Sequence, residues 1–330
     1  MVRASEFETI QRYFAPLSTN AAGAFGLSND AAVWQPQKGH DAVITTDCMV
    51  AGVHFLADDP PSLIAGKLLA VNLSDIAAMG ARPSAYTLAV AWPADIDDKW
   101  IEAFAKGLGE AQMGAGISLI GGDTVATPGP LTLSLTAFGE IPIGAALSRG
   151  GAQDGDDVYV TGTIGDAALG LKLRLGELSL DHGHDRDFLI GRYRLPQARS
   201  DFGRALPGVA SAAIDISDGL LADLGHIAEQ SGMDLEIQAA DIPISASVQT
   251  CVDVDPALMA LVFGGGDDYE LAFSAPSEKA EQILTLADTT TTPVRRIGRV
   301  LNSSNVTPEV RLLDETGKAI VIDRPGFRHF

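Results

Sequence analysis

Short apolar runs that end in polar turns alternate along this chain with longer stretches of helical periodicity. Residues 42–46, 117–120 and 212–216 are runs of the first kind and predict buried strands. Residues 62–79 repeat apolar side chains at Leu63, Ile64, Leu68, Val71 and Ile76, with Gly80 closing the run and Pro83 beyond, which predicts a helix. Asn72 and Asp75 then share one helical face. Residues 86–92, stopped by Pro93, predict a strand. Residues 97–115, carrying Trp100, Ile101, Phe104 and Leu108, predict a second amphipathic helix, and residues 131–138 alternate as another strand.

The stretch 144–157 is rich in glycine and aspartate, lacks a period and precedes a fresh strand at 158–161, so the chain divides into domains at 1–143 and 144–330. In the second part, residues 162–166 open a helix that runs through Leu175, and residues 176–187 read as a polar loop. Ser217-Asp218 opens a helix through Gln230, and an apolar strand runs into Gly264-Gly265-Gly266. A helix near 277–286 precedes short terminal strands. The expected class is α/β, with mixed sheets in two domains.

Composition narrows the possibilities. A chain of 330 residues exceeds the size at which single cores split, and 46% apolar content with 20% charge marks a folded protein. Lysine and arginine number 23 against 43 acidic residues, a net charge of −20 that repels a phosphate backbone and excludes nucleic acid as a partner. Cys48 and Cys251 lie far apart with no partner at metal-ligand spacing, which predicts a reducing compartment, the cytoplasm. Residues 1–14 lack a signal-type apolar core. The weakly charged stretch 116–147 is broken by Pro128, Pro130 and Pro142, so no membrane span is expected.

Four segments carry the candidate chemistry: Thr45-Thr46-Asp47, Asn72-Leu73-Ser74-Asp75, Gly121-Gly122-Asp123-Thr124 and Asp215-Ile216-Ser217-Asp218. Strands that release the chain at an aspartate place hard oxygen donors on a sheet rim. That suits magnesium, which takes carboxylates, phosphate oxygens and waters. Capping explains a single aspartate, and Asp218 is placed to cap the helix after it, but it does not explain the set. Asp75 gains little inside a helix, which favours a ligand role. The usual signatures G-x-x-x-x-G-K-[ST], G-x-G-x-x-G before an acidic-ended strand, and H-E-x-x-H are absent.

Together with His54-Phe55, the continuation Asp75-Ile76-Ala77-Ala78-Met79-Gly80-Ala81, Val160-Thr161-Gly162, Gly219-Leu220, Gly265-Gly266-Asp267-Asp268-Tyr269-Glu270-Leu271 and the terminal Gly326-Phe327-Arg328-His329-Phe330, these segments resemble the thiamine-monophosphate kinase family. The resemblance runs from Asp30 to the last residue. It implies the two-domain architecture of aminoimidazole ribonucleotide synthetase-like proteins, with N-terminal sheets pairing into the barrel of a homodimer. It also implies ATP and magnesium as co-substrate and cofactor, and thiamine monophosphate as acceptor. By the same resemblance, Asp30, Thr45, Thr46, Asp47, Asp75, Asp123, Asp215 and Asp218 bind several magnesium ions. Gly122, Asp123, Arg149, Ser217 and Phe104 meet ATP, and His54, Glu270 and Phe327 meet the acceptor. No catalytic base is expected, because the accepting phosphate is already ionised near neutral pH. Two departures stand out. Asn29 replaces the first of two adjacent aspartates, and Phe327 offers a weaker cation–π face than tryptophan.

Two other readings stay open on sequence. A different ATP-dependent synthetase of the same superfamily would activate an amide or acyl oxygen, and an acceptor screen separates it. A non-catalytic module for divalent cations would bind metal without ATP turnover.

Overall fold

The computed structural model describes residues 5–181, 183–303 and 306–327. The chain divides into two compact units: one runs to Ile76 and resumes over Ala81–Gly144, and the other takes Ala77–Gly80 and everything from Ala145.

In the first unit a short α1 (Glu6–Thr9) and irregular turns precede β1 (His40–Val50), α2 (Pro61–Ala78), β2 (Arg82–Trp92), α3 (Asp98–Ala115), β3 (Ser118–Ala126) and β4 (Thr132–Pro142). The sheet order is β1-β4-β2-β3; β2 and β3 are parallel, joined by α3, and the other pairs are antiparallel. Helix α3 starts where the Asp97 carboxylate accepts the Trp100 N–H, and it stops at Gly116, whose φ of +67° is left-handed. Strand β4 alternates, burying Leu133, Leu135 and Ala137 on one face.

Pairing extends further than the apolar runs predicted. Asp47 pairs with Leu135 inside β1 and Asp123 with Ala89 inside β3, so neither aspartate stands at a strand exit as expected. Both strands are sheet edges, where one side of the ladder is open and polar residues are tolerated, so apolar character ends before hydrogen bonding does.

The second unit contains β5 (Asp157–Thr161), α4 (Asp166–Leu175), α5 (Gly183–Arg194), α6 (Ser200–Gly203), β6 (Ala212–Asp215), α7 (Leu220–Ser231) and β7 (Met233–Gln238). It continues through α8 (Ala246–Val254), α9 (Met259–Gly264), β8 (Leu271–Ala275), α10 (Ala280–Thr289), β9 (Val294–Asn302) and β10 (Val310–Leu313). The six strands follow the order β10-β7-β9-β5-β8-β6, with β10 and β7 parallel and the other pairs antiparallel. The core joins Val158 and Val160 of β5, Ile214 of β6, Leu224 and Ile227 of α7 and Val262 of α9.

Two expectations fail here. The apolar run before Gly264 is helical, because the Asp255 carboxylate accepts the Ala257 N–H and Pro256 opens a turn that leads into α9. An apolar run this short has no period to separate strand from helix. The segment read as a loop to residue 187 is already helical from Gly183. Among the described residues no helix is long and apolar enough to cross a membrane.

Candidate active site

In the first unit, β1 and α2 assemble one cluster. Strand alternation turns Thr45 and Asp47 to the same face. On α2, the fully buried Asn72 donates its Nδ2 to the Leu68 carbonyl at 2.9 Å and accepts the Asp47 N–H on Oδ1 at 3.1 Å, tying strand to helix. Asp75, three residues further along the same face, accepts the Thr45 hydroxyl at 2.5 Å. Burial, and secondarily the charge of Asp75, pushes the Asp47 carboxyl up to about 6. Thr46 points the other way, its hydroxyl donating to the Leu135 carbonyl at 3.0 Å and lying 2.9 Å from the Thr136 hydroxyl, so its side chain does not join Thr45 around Asp47. After β1, the His54 imidazole accepts the Val50 N–H on Nδ1 at 3.0 Å.

Asp30, Asn29, Gly122 and Asp123 line a cavity of ≈ 490 Å³ together with Phe14, Trp34 and Phe138, a size and polarity that suit a small ligand. Gly122 is required by packing as much as by any ligand, since a Cβ there would lie 1.9 Å from the Leu88 carbonyl oxygen of the adjoining strand. At Gly121 the nearest atom to an added Cβ is 3.7 Å away. G122A is therefore expected to lose ~1–3 kcal/mol by overpacking and G121A almost nothing, a contrast that scanning calorimetry measures as a Tm drop in the first variant alone. Phe104 does not reach this cavity. It is fully buried, stacked on Trp100 at 5.4 Å and edge-on to Trp92, so the aromatic expected beside adenine is a core residue.

In the second unit, buried Asp215 ends β6, and Ser217 and Asp218 follow half-buried. Asp218 does not cap α7. Gly219, at φ +135°, holds the cap position, and Asp223 of the first helical turn reaches back to accept the N–H groups of Ser217, Asp218 and Gly219 on one oxygen at 3.0, 3.1 and 3.0 Å. Burial pushes the Asp223 carboxyl up to about 7. Asp267 and Tyr269 both adopt left-handed φ, +73° and +50°, in the segment that delivers Asp268 and Glu270 to the interior. Strain of this kind in non-glycine residues gathers at functional sites.

Glu270 is fully buried and committed to protein partners: Arg192 Nη2 at 2.8 Å, Arg199 Nε at 2.6 Å and the Thr161 hydroxyl at 2.7 Å. Asp268 accepts the Gly165 and Ala167 N–H groups at the start of α4, at 2.7 and 3.1 Å, and burial pushes its carboxyl up to about 8. Phe327 is half-exposed, and its N–H donates to the Asp218 carbonyl at 2.9 Å. The rest of the terminal motif, Arg328, His329 and Phe330, lies outside the described residues. Arg149 is exposed, with its carbonyl accepting from the Ser231 hydroxyl.

Among the described residues no three His, Cys, Asp or Glu side chains converge as a metal site. What the fold does assemble in the first unit is the Asp47–Asp75 pair with Thr45. Sequence reasoning missed Asp223, Arg192, Arg199 and Asp268. An aspartate in a first helical turn is ordinary dipole compensation, and nothing local marks the arginines.

Comparison with known proteins covers the whole chain. The AIR synthase related protein, N-terminal domain, matches residues 28–141, and the AIR synthase related protein, C-terminal domain, matches residues 153–311. The thiamine-monophosphate kinase of Caulobacter vibrioides is 39% identical over 328 residues, covering 98% of this chain and 91% of the relative. That of Escherichia coli is 38% identical over 326 residues, covering 98% of each. The crystal structure of thiamine-monophosphate kinase from Stenotrophomonas maltophilia aligns with a TM-score of 0.84 at 40% identity, over 96% of this chain and 98% of its own. The structure of AaThiL complexed with AMPPCP and TMP aligns at 0.78 and 28% identity, over 100% and 99%.

Proposed function

This chain belongs to the thiamine-monophosphate kinase family of AIR synthase related proteins, and on that premise we propose that it transfers the γ-phosphoryl group of ATP to thiamine monophosphate, giving thiamine diphosphate and ADP. The Asp47–Asp75 pair carries the reading. Two carboxylates are held on one face by Asn72 and Thr45, and burial together with the charge of Asp75 raises the pKa of Asp47, an environment that a bound cation would relieve.

The donors fit magnesium. They are hard oxygens only, and this ion binds by one or two carboxylates when substrate phosphates complete its shell, so a closed protein cage is not needed. When bound, it supplies charge neutralisation at the phosphates. Asp47 and Asp75 with the Thr45 hydroxyl are the principal donors, and Asp30, Asp123, Asp215 and Asp218 are assigned to the same task. Thr46, whose hydroxyl is turned to Leu135 and Thr136, contributes through its backbone. Gly122 lets the backbone approach the nucleotide, Ser217 donates to a phosphate, and Arg149 binds a phosphate through two guanidinium nitrogens. His54 meets the acceptor, and the half-exposed Phe327 ring stacks on the cationic thiazolium.

In the transfer, an oxygen of the acceptor phosphate forms a bond to the γ-phosphorus while the bond to the β–γ bridging oxygen breaks, and ADP leaves with the electron pair. The attacking oxygen is already ionised, so no side chain takes up a proton, and the work of the protein is alignment and charge. A homodimer formed through β1 accords with this eleven-residue edge strand and its exposed Ile44. The two free cysteines accord with a cytoplasmic setting.

The test is to incubate the purified protein with magnesium and ATP, then assay thiamine diphosphate and ADP with thiamine monophosphate, with free thiamine and without acceptor. Thiamine diphosphate is expected with the monophosphate alone. ADP without that product would assign a different acceptor, and nucleotide binding without turnover would favour a binding module.

A further inference from the structure

We propose that Asp223 is a positioning residue: without touching substrate, it holds the segment 215–219, and through it Phe327, in the arrangement the reaction needs. The proposal rests on the kinase reading for the tasks of Asp215, Asp218 and Phe327.

The geometry is specific. Asp223 is 3% exposed, lies in the first turn of α7, and takes three consecutive backbone N–H groups, those of Ser217, Asp218 and Gly219, on a single carboxylate oxygen. The carbonyls of the same segment are occupied in the other direction. Ile216 accepts from the Tyr269 N–H at 2.8 Å, Ser217 from the Asp267 N–H at 2.8 Å and Asp218 from the Phe327 N–H at 2.9 Å. Two stretches of chain, 267–269 and that at Phe327, are thus pinned to the carbonyl side of one turn, and its N–H side is pinned to one buried carboxylate.

Packing leaves this turn little room to move. A Cβ on Gly266 would lie 2.3 Å from the Ser217 carbonyl oxygen, and one on Gly326 would lie 2.4 Å from the Ala222 methyl. If the N–H groups lose their acceptor, the turn must rotate to find others. Rotation would carry the Asp218 carboxylate and the Phe327 backbone with it. An ordinary helix cap would not have this reach, since it satisfies the helix alone.

The experiment compares D223A, D223N and, as a control, D234N. Asp234 is equally buried in the same unit and accepts one backbone N–H, that of Glu309, at 3.0 Å. For each protein, Mn2+ binding with the ATP analogue AMPPCP is titrated by electron paramagnetic resonance. The magnesium concentration for half-maximal turnover, the KM for thiamine monophosphate and the Tm are measured beside it. D223A is expected to weaken metal binding by roughly 10–100-fold and to raise the KM for the acceptor, as loss of an outer-sphere partner does. D223N, which keeps an oxygen acceptor without the charge, is expected to fall between wild type and D223A. D234N is expected to lower the Tm while leaving the metal titration in place. The proposal is overturned if D223A titrates as wild type, or if D234N shifts metal binding as far. Should D223A not fold, a D223N titration superimposable on wild type overturns it. Mn2+ binding requires no turnover, so a wild-type protein inactive on thiamine monophosphate would count against the kinase reading and leave the Asp223 comparison intact.

Discussion

Replacing Asp47 by asparagine is expected to stabilise the metal-free protein above pH 6 while reducing turnover by ~10²-fold or more, the scale of losing a group that stabilises transferring charge. The two effects share one origin. Burial and Asp75 raise the folded-state pKa of Asp47 from 3.8 to about 6, so the folded chain disfavours the ionised form. Below the unfolded value the carboxyl is neutral in both states, and the substitution changes little. As pH rises through about 6, folded wild type must ionise this group against its surroundings and loses stability that the asparagine variant keeps. The gain at pH 8 is on the order of 3 kcal/mol, read as a Tm higher by several degrees in EDTA. Adding magnesium and ATP should reverse the order, because wild type then gains binding energy that D47N lacks. Equal Tm values at pH 8 in EDTA would show that Asp47 is not held against a charge deficit.

The helices of the first unit were legible because their signals are local. Asp97 and Gly116 bracket α3, and the 3.6-residue period of Leu68, Val71 and Ile76 identifies α2. The placement of Asn72 and Asp75 on one face follows from that period, and the structure turns this face to β1. The ends of β1 and β3 were not legible, since a polar residue on an open edge leaves the ladder intact and only breaks the apolar run. Least legible was the polar interior of the second unit. The contacts of Glu270 with Arg192 and Arg199 span 78 and 71 residues, and no window of sequence contains both partners. Read alone, Glu270 is an acid in a motif and a natural partner for a ligand. In the fold it is enclosed by cations from α5 and from the segment before α6.

That enclosure gives the largest expected loss of stability. Arg192, 9% exposed, bonds Glu270 at 2.8 Å, lies 3.6 Å from the Asp166 carboxylate and donates to the Asp268 carbonyl at 3.3 Å, while Glu270 and Asp166 are fully buried. R192M removes the cation and leaves two buried carboxylates short of a partner, a change that costs ~3–5 kcal/mol. Against a total stability of ~5–15 kcal/mol this is a large fraction, expected as a much lower urea midpoint. The loss should shrink in acid. Burial already raises the Asp166 pKa and Arg192 opposes that rise, so without the arginine the carboxyl takes up a proton more readily and is spared the unpaired charge. Adding E270Q to R192M should recover part of the loss, with a coupling of ~0.5–3 kcal/mol in the double-mutant cycle. E270Q alone separates the two duties this residue has been given. If Glu270 serves to hold the arginines, stability falls as two guanidinium groups lose their anion, and the KM for thiamine monophosphate rises only through the loosened fold. If Glu270 contacts the acceptor, the KM rises while the urea midpoint stays in place. With both oxygens of Glu270 already engaged by protein donors, the first outcome is the one the geometry requires.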